Sequence, residues 1–146
     1  MKLIVAIDFS PITEKVLEYI KNLAKTTDFA IWIIHVVQPD PDFVGYEVGP
    51  QTERDFVAKK FNQKHKDLQQ KAQELKKLGI NATPLLLQGA TVETILSEAD
   101  DIDADMIVAG SHGHGMMYNL LVGSVSKELL RKSKRAVLII PADEED

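Results

Sequence analysis

Between residues 109 and 124 the chain reads AGSHGHGMMYNLLVGS, with Gly110, Gly113, Gly115 and Gly123 set among Ser111, His112, His114 and Ser124. Three chemistries use these residue types. Two histidines two apart, with His35 as a third, would begin a metal site. Zinc takes three or four ligands, however; the chain has no cysteine, and no further histidine follows in sequence. A serine beside a histidine would be a nucleophile with its base. Adjacent residues on a turn point in different directions, and no Gly-x-Ser-x-Gly elbow is present. A cradle of backbone amides around phosphate needs glycines where a Cβ would intrude, and a helix N-terminus to receive the anion. The glycines from Gly110 to Gly123, followed by Ser124, Val125 and Ser126 at the head of a helical segment, meet that requirement.

Such a loop acts only if strands and helices hold it. Five apolar, β-branched-rich runs do not alternate in polarity: residues 2–7, 30–37, 82–88, 104–110 and 135–141. That pattern belongs to strands buried on both faces. Helix-period segments lie between them. Val16, Leu17, Ile20, Leu23 and Ala24 form one stripe, with Ser10 placed to cap and Pro11 suited to the first turn. From residue 53 to Gly79 a second stripe runs through Val57, Phe61, Leu68, Ala72, Leu75 and Leu78, with His65 on or near it and Gly79 as the stop. A shorter helix follows, capped by Thr91, with Val92, Ile95, Leu96 and Ala99 inward; a fourth starts at Ser124. The strict β-α alternation predicts parallel pairing in a three-layer α/β/α sandwich. A single domain over 1–146 is expected, with one long loop (38–52) and an acidic tail (142–146). In such sheets ligands sit beyond the carboxyl ends of the strands, where the strand order reverses.

Composition narrows the function. With 45% hydrophobic and 27% charged residues, and no apolar run near the roughly 20 residues that cross a bilayer, neither a membrane span nor a signal peptide is expected. The expected location is cytoplasmic. A net charge of -5 opposes the electrostatic attraction that drives nucleic-acid binding. The absence of cysteine removes disulfides and thiolate chemistry. A Walker NTPase would need Gly-Lys-Ser or Gly-Lys-Thr, and a phosphoacceptor receiver would need an aspartate after the third strand, where this chain has Gln88-Gly89.

Gly110, Gly113 and Gly123-Ser124 fit a spacing of Gly, two residues, Gly, nine residues, then Gly-Ser or Gly-Thr, and in this the chain resembles the ATP-binding subgroup of the universal stress protein family. The resemblance extends through IVAIDFS, IIHVV and KRAVLIIP. It implies a five-stranded parallel sheet of order 3-2-1-4-5, of the adenine nucleotide alpha hydrolase-like kind. It also implies that Asp8 and the Val36 backbone meet adenine and ribose, and that the Ala109 and Gly110 backbone flanks ribose and phosphates. His112, Gly113, Gly123, Ser124, Val125 and Ser126 would surround the triphosphate and its Mg²⁺ or Mn²⁺, which takes most of its shell from phosphate and water rather than from a dedicated protein site. The spacer HGMMYNLLV holds no lysine or arginine, and QGAT stands where Gly-x-Pro is common.

The expected protein is an ATP-binding stress-response regulator rather than an enzyme. With no arginine finger, Walker lysine or base poised on water, any hydrolysis is expected to be slow, and no catalytic residue is assigned. The alternative is a dimeric interaction protein of the same fold that binds no nucleotide. The last strand lies at a sheet edge in this order, and an apolar edge invites a second copy. The resemblance likewise implies a homodimer paired through Ala136 to Pro141.

Overall fold

A computed structural model describes residues 1–39, 51–112 and 122–143, the side chains of 51–57 excepted. His114, Gly113, Gly115, Met116, Met117, Leu120, Leu121, most of the 38–52 loop and residues 144–146 therefore lie outside the described residues, as does the side chain of Val57. In chain order the elements are β1 (Lys2–Ala6), α1 (Ile12–Leu23), β2 (Ala30–Val37), α2 (Gln51–Lys77), β3 (Asn81–Gln88), α3 (Thr91–Ile102), β4 (Met106–Gly110), α4 (Ser124–Lys132) and β5 (Ala136–Ile140). The strands form one five-stranded sheet of order β3-β2-β1-β4-β5. All pairs are parallel, with Val5 level with Ile33 on one side and with Val108 on the other.

Continuous apolar runs make such a sheet because both faces are covered. On one face Leu3, Val5, Ile31 and Ile33 pack against Val16, Leu17 and Ile20 of α1 and Leu68, Ala72 and Leu75 of α2. On the other, Ile4, Ile34 and Ile107 meet Val92, Ile95 and Ala99 of α3 and Leu129 of α4. Alternate residues of one strand thus serve different cores, as the two-residue period of a strand requires.

Helix ends depart from the sequence reading in ways that matter for the site. Ser10 does not cap α1: the residue before the helix is Pro11, with no side-chain cap. Asp8 closes the turn ahead of the helix, its Oδ1 accepting the Ser10 N–H at 2.9 Å, and the Ser10 carbonyl accepts from the Thr13 N–H at 3.0 Å. Thr91 is the first residue of α3 rather than its cap, and its hydroxyl accepts from Gln38 Nε2 at 3.2 Å. On α2 the inward stripe runs from half-buried Phe61 and Lys64 to buried Leu68, and His65 and Leu78 are exposed. The step from Phe61 is three residues rather than four, which turns Lys64 inward.

Two helices end in the same hydrogen-bond pattern. After α2, the Ile80 N–H donates to the Leu75 carbonyl and the Gly79 N–H to that of Lys76, with Gly79 at φ +84°. After α3, the Ala104 N–H donates to the Ala99 carbonyl and the Asp103 N–H to that of Asp100, with Asp103 at φ 57°. Both need a left-handed residue, which glycine supplies without strain. This closure also delays β4 to Met106, because Ala104 still finishes α3 and the Asp105 N–H donates to the Lys2 carbonyl.

Candidate functional site

Between β1 and β4 the sheet order reverses, α1 leaving to one face and α4 lying on the other. A crevice must open there. A cavity of about 410 Å³ occupies it, floored by the ends of β1, β2 and β4 and walled by the first turns of α1, α3 and α4. Asp8, Val36, Ala109, Gly110, His112, Gly123, Ser124, Val125 and Ser126 all line it. These are nine of the ten residues that the sequence singles out, the tenth being Gly113 outside the described residues.

The turn after β1 is tightly folded. Asp8 accepts from Ser10, and Phe9 between them sits at φ 60°, a left-handed conformation that is rare for an aromatic residue. Its ring stands edge-on to His35, with centroids 4.9 Å apart at 66°. His35 is buried, and its Nδ1–H donates to the Ile7 carbonyl at 2.8 Å. These contacts fix the mouth of β1 against β2 and hold Asp8 at the cavity wall.

The other wall is the start of α4. Gly123 precedes the helix with extended backbone (φ -71°, ψ 167°) and makes no side-chain cap. The N–H groups of the first turn therefore carry the helix's positive pole toward the cavity. Ser126 is buried and its hydroxyl donates to the Gly110 carbonyl at 2.5 Å, binding the helix to the end of β4. The Gly123 N–H donates to the Ser111 carbonyl at 2.6 Å, while the Ser111 N–H reaches back to the Ile140 carbonyl at 2.8 Å. Gly110 has a packing reason to be glycine, since a Cβ there would lie 2.8 Å from both Cδ1 and Cγ2 of Ile12.

Several lining residues escaped the sequence reading. Lys64 is the sole lysine or arginine among the described lining residues, and it comes from α2 rather than from the glycine loop. Its signal was the α2 stripe, which admits a lysine only if its head has somewhere polar to go. Thr13 is buried at the lining, its hydroxyl without a hydrogen-bond partner among the described residues. Gln38 and Ser111 also line the cavity. Among the described residues no group of three His, Cys, Asp or Glu side chains stands placed to hold a metal ion, and no helix is long and apolar enough to cross a membrane.

Residues 1–141 match the family model described as the universal stress protein family. The universal stress protein MJ0577 of Methanocaldococcus jannaschii is 23% identical over 151 residues, covering 95% of this chain and 93% of its own. A solved structure of MJ0577 superposes with a TM-score of 0.84 at 24% identity, covering 97% of this chain and 96% of that one. A universal stress protein family protein of Arabidopsis thaliana with AMP bound superposes at 0.70 with 18% identity, covering 99% and 94%. A universal stress protein in complex with cAMP does so at 0.64 with 21% identity, covering 96% and 95%.

Proposed function

The chain belongs to the universal stress protein family, and we propose that its cavity binds an adenine nucleotide, ATP in the first instance, whose occupancy regulates a cytoplasmic stress response. The observation that carries this reading is the convergence of nine residues, from the ends of β1, β2 and β4 and the start of α4, on one cavity of about 410 Å³. That volume is within the range of small-molecule sites, roughly 300–1,000 Å³. The AMP and cAMP complexes of two relatives of the same fold support the choice of an adenine nucleotide.

The residues fit the ligand's chemistry. Asp8 offers carboxylate oxygens to ribose or base donors, and the Val36 backbone edges the base. The uncapped first turn of α4 offers N–H groups and its dipole to phosphate, which needs no lysine in the spacer for its first contact. Mg²⁺ or Mn²⁺ would be held by phosphate oxygens and water, and would supply charge neutralisation. Hydrolysis, where it occurs, is slow, because the described lining holds no arginine and only one lysine. The homodimer formed through β5 and Pro141 is part of the same proposal.

Freshly purified protein, denatured and analysed by mass spectrometry, is expected to release adenine nucleotide, and excess Mg-ATP is expected to raise the melting temperature. Gly123→Val is expected to abolish both effects while the apo protein melts normally. Gly123 is buried at the cavity wall, and its backbone angles are open to any residue. A wild-type protein that carries no nucleotide and shows no shift sinks the reading.

A further inference from the structure

Two polar side chains reach the cavity from α1 and α2, on the face of the sheet away from α4. Thr13, in the first turn of α1, is only 3% exposed, and its hydroxyl has no hydrogen-bond partner among the described residues. A buried hydroxyl left so carries a desolvation cost that a ligand oxygen would remove. The helix also begins without a side-chain cap, so Thr13 stands at its positive end. Lys64 lines the same cavity from α2 and is half-buried. Neighbouring carboxylates are engaged elsewhere: Asp67, three residues on, accepts from Gln63 Nε2 at 2.9 Å, and Glu14, next to Thr13, pairs with Lys71. Among the described residues Lys64 makes neither an ion pair nor a hydrogen bond. An ammonium group at a cavity wall with no carboxylate paired to it favours an anion there.

We propose that Lys64 and Thr13 form an anion subsite, on the wall opposite α4, for a phosphate oxygen of the bound nucleotide. This rests on the nucleotide reading above and deepens it. Residues 110–126 hold no lysine or arginine, so the cation that a polyphosphate requires comes from α2 instead. The N–H groups of α4 then take one side of the phosphate chain, and Lys64 with the Thr13 hydroxyl takes the other. Lys64 is in this way the residue that makes affinity depend on the charge of the ligand.

Isothermal titration calorimetry of the full chain with Mg-ATP, AMP and adenosine tests the subsite. Lys64→Met keeps the apolar stem and removes the charge. It is expected to weaken Mg-ATP about tenfold, the loss of one hydrogen bond to a charged group. AMP should lose less and adenosine nothing, and Lys64→Arg should restore most of the Mg-ATP affinity. Thr13→Val replaces the hydroxyl by a methyl of similar shape. Its apo melting temperature is expected to stay level or rise, because an unpartnered buried hydroxyl is removed, while Mg-ATP affinity falls severalfold. Wild-type Mg-ATP affinity in Lys64→Met, or an equal loss for adenosine, would overturn the subsite, since the second marks a packing role. A lowered melting temperature with unchanged affinity in Thr13→Val would make that hydroxyl structural and overturn its part. Should the wild type bind no Mg-ATP, inorganic tripolyphosphate separates the two readings. Lys64-dependent binding of tripolyphosphate would leave the anion subsite standing while the nucleotide reading falls, and no binding of either would reject both.

Discussion

At Gly110 two demands coincide in one missing side chain. The sequence spacing marks this glycine as part of a phosphate cradle, but in the structure its Cα faces Ile12 of α1, with a built Cβ 2.8 Å from two of that side chain's carbons. Gly110→Ala is therefore expected to destabilise the fold by about 1–3 kcal/mol through overpacking. In a denaturant-melt cycle with Ile12→Ala, the double variant should be less destabilised than the sum of the singles by at least about 1 kcal/mol. Strict additivity would show that Ile12 is not what excludes a side chain. This division between roles is what single residues hide in a sequence. The glycine spacing is plain in the sequence, but the packing reason for Gly110 is not, because Ile12 reaches it from a distant helix. Lys64 was not legible, because its inward turn depends on whether the α2 stripe steps three or four residues from Phe61. Phe9 at φ 60° was invisible for the same kind of reason: nothing in AIDFSP states that the turn closes through Asp8 rather than Ser10.

Elements were far more legible than their ends. Five apolar runs and four amphipathic stripes specify the order of strands and helices, since burying both faces of a sheet is a strong, averaged demand. Ends turn on single hydrogen bonds, and there Ser10 and Thr91 do not cap: α1 and α3 start after Pro11 and Ala90 with no side-chain cap, and the Thr91 hydroxyl accepts from Gln38 instead. The C-terminus of α3 shows how little sequence signal an end can carry. Its closure matches that of α2 bond for bond, yet the left-handed residue is Asp103 at φ 57° where α2 has Gly79. Asp103 is almost fully exposed, and its only described side-chain partner is Arg135, at 3.4 Å. An exposed pair of that length contributes little. Arg135 is held more firmly by the Ala104 carbonyl and Asp100, each at 2.5 Å, and Asp100 is first among the causes that raise its pKa. Asp103→Gly should thus relieve left-handed strain without releasing Arg135, stabilising the protein by about 0.5–1 kcal/mol. Equilibrium urea unfolding checks this, and a destabilised variant would mean that the Asp103 carboxylate matters more than its backbone.

The whole molecule places its cavity by topology and leaves two sheet edges to manage. β3 carries Pro84 level with Ile33, and a proline cannot donate to a further strand, so that edge is blunted. β5 is different: Ala136 is exposed, Val137, Leu138 and Ile139 are half-buried, and the first proline is Pro141, just past the strand. An apolar, unblunted edge strand in a chain of this size is best covered by a two-fold copy of itself. The proposed dimer then has a thermodynamic signature that a monomer cannot mimic. Unfolding a dimer yields two chains, so mass action raises the melting temperature with protein concentration, by about 2 °C per tenfold for a chain of this length. A monomer's melting temperature stays flat. Sedimentation equilibrium over the same concentrations should report twice the chain mass. The end of β5 is also bonded to the glycine stretch, Ile140 to the Ser111 N–H and Ala142 to the Ser111 hydroxyl. A copy that orders β5 therefore orders one wall of the cavity, and Mg-ATP is expected to tighten the dimer by the same factor by which dimerisation tightens Mg-ATP binding. A concentration-independent melting temperature with a single-chain mass would reject the dimer, and equal dimer affinity with and without Mg-ATP would reject the coupling.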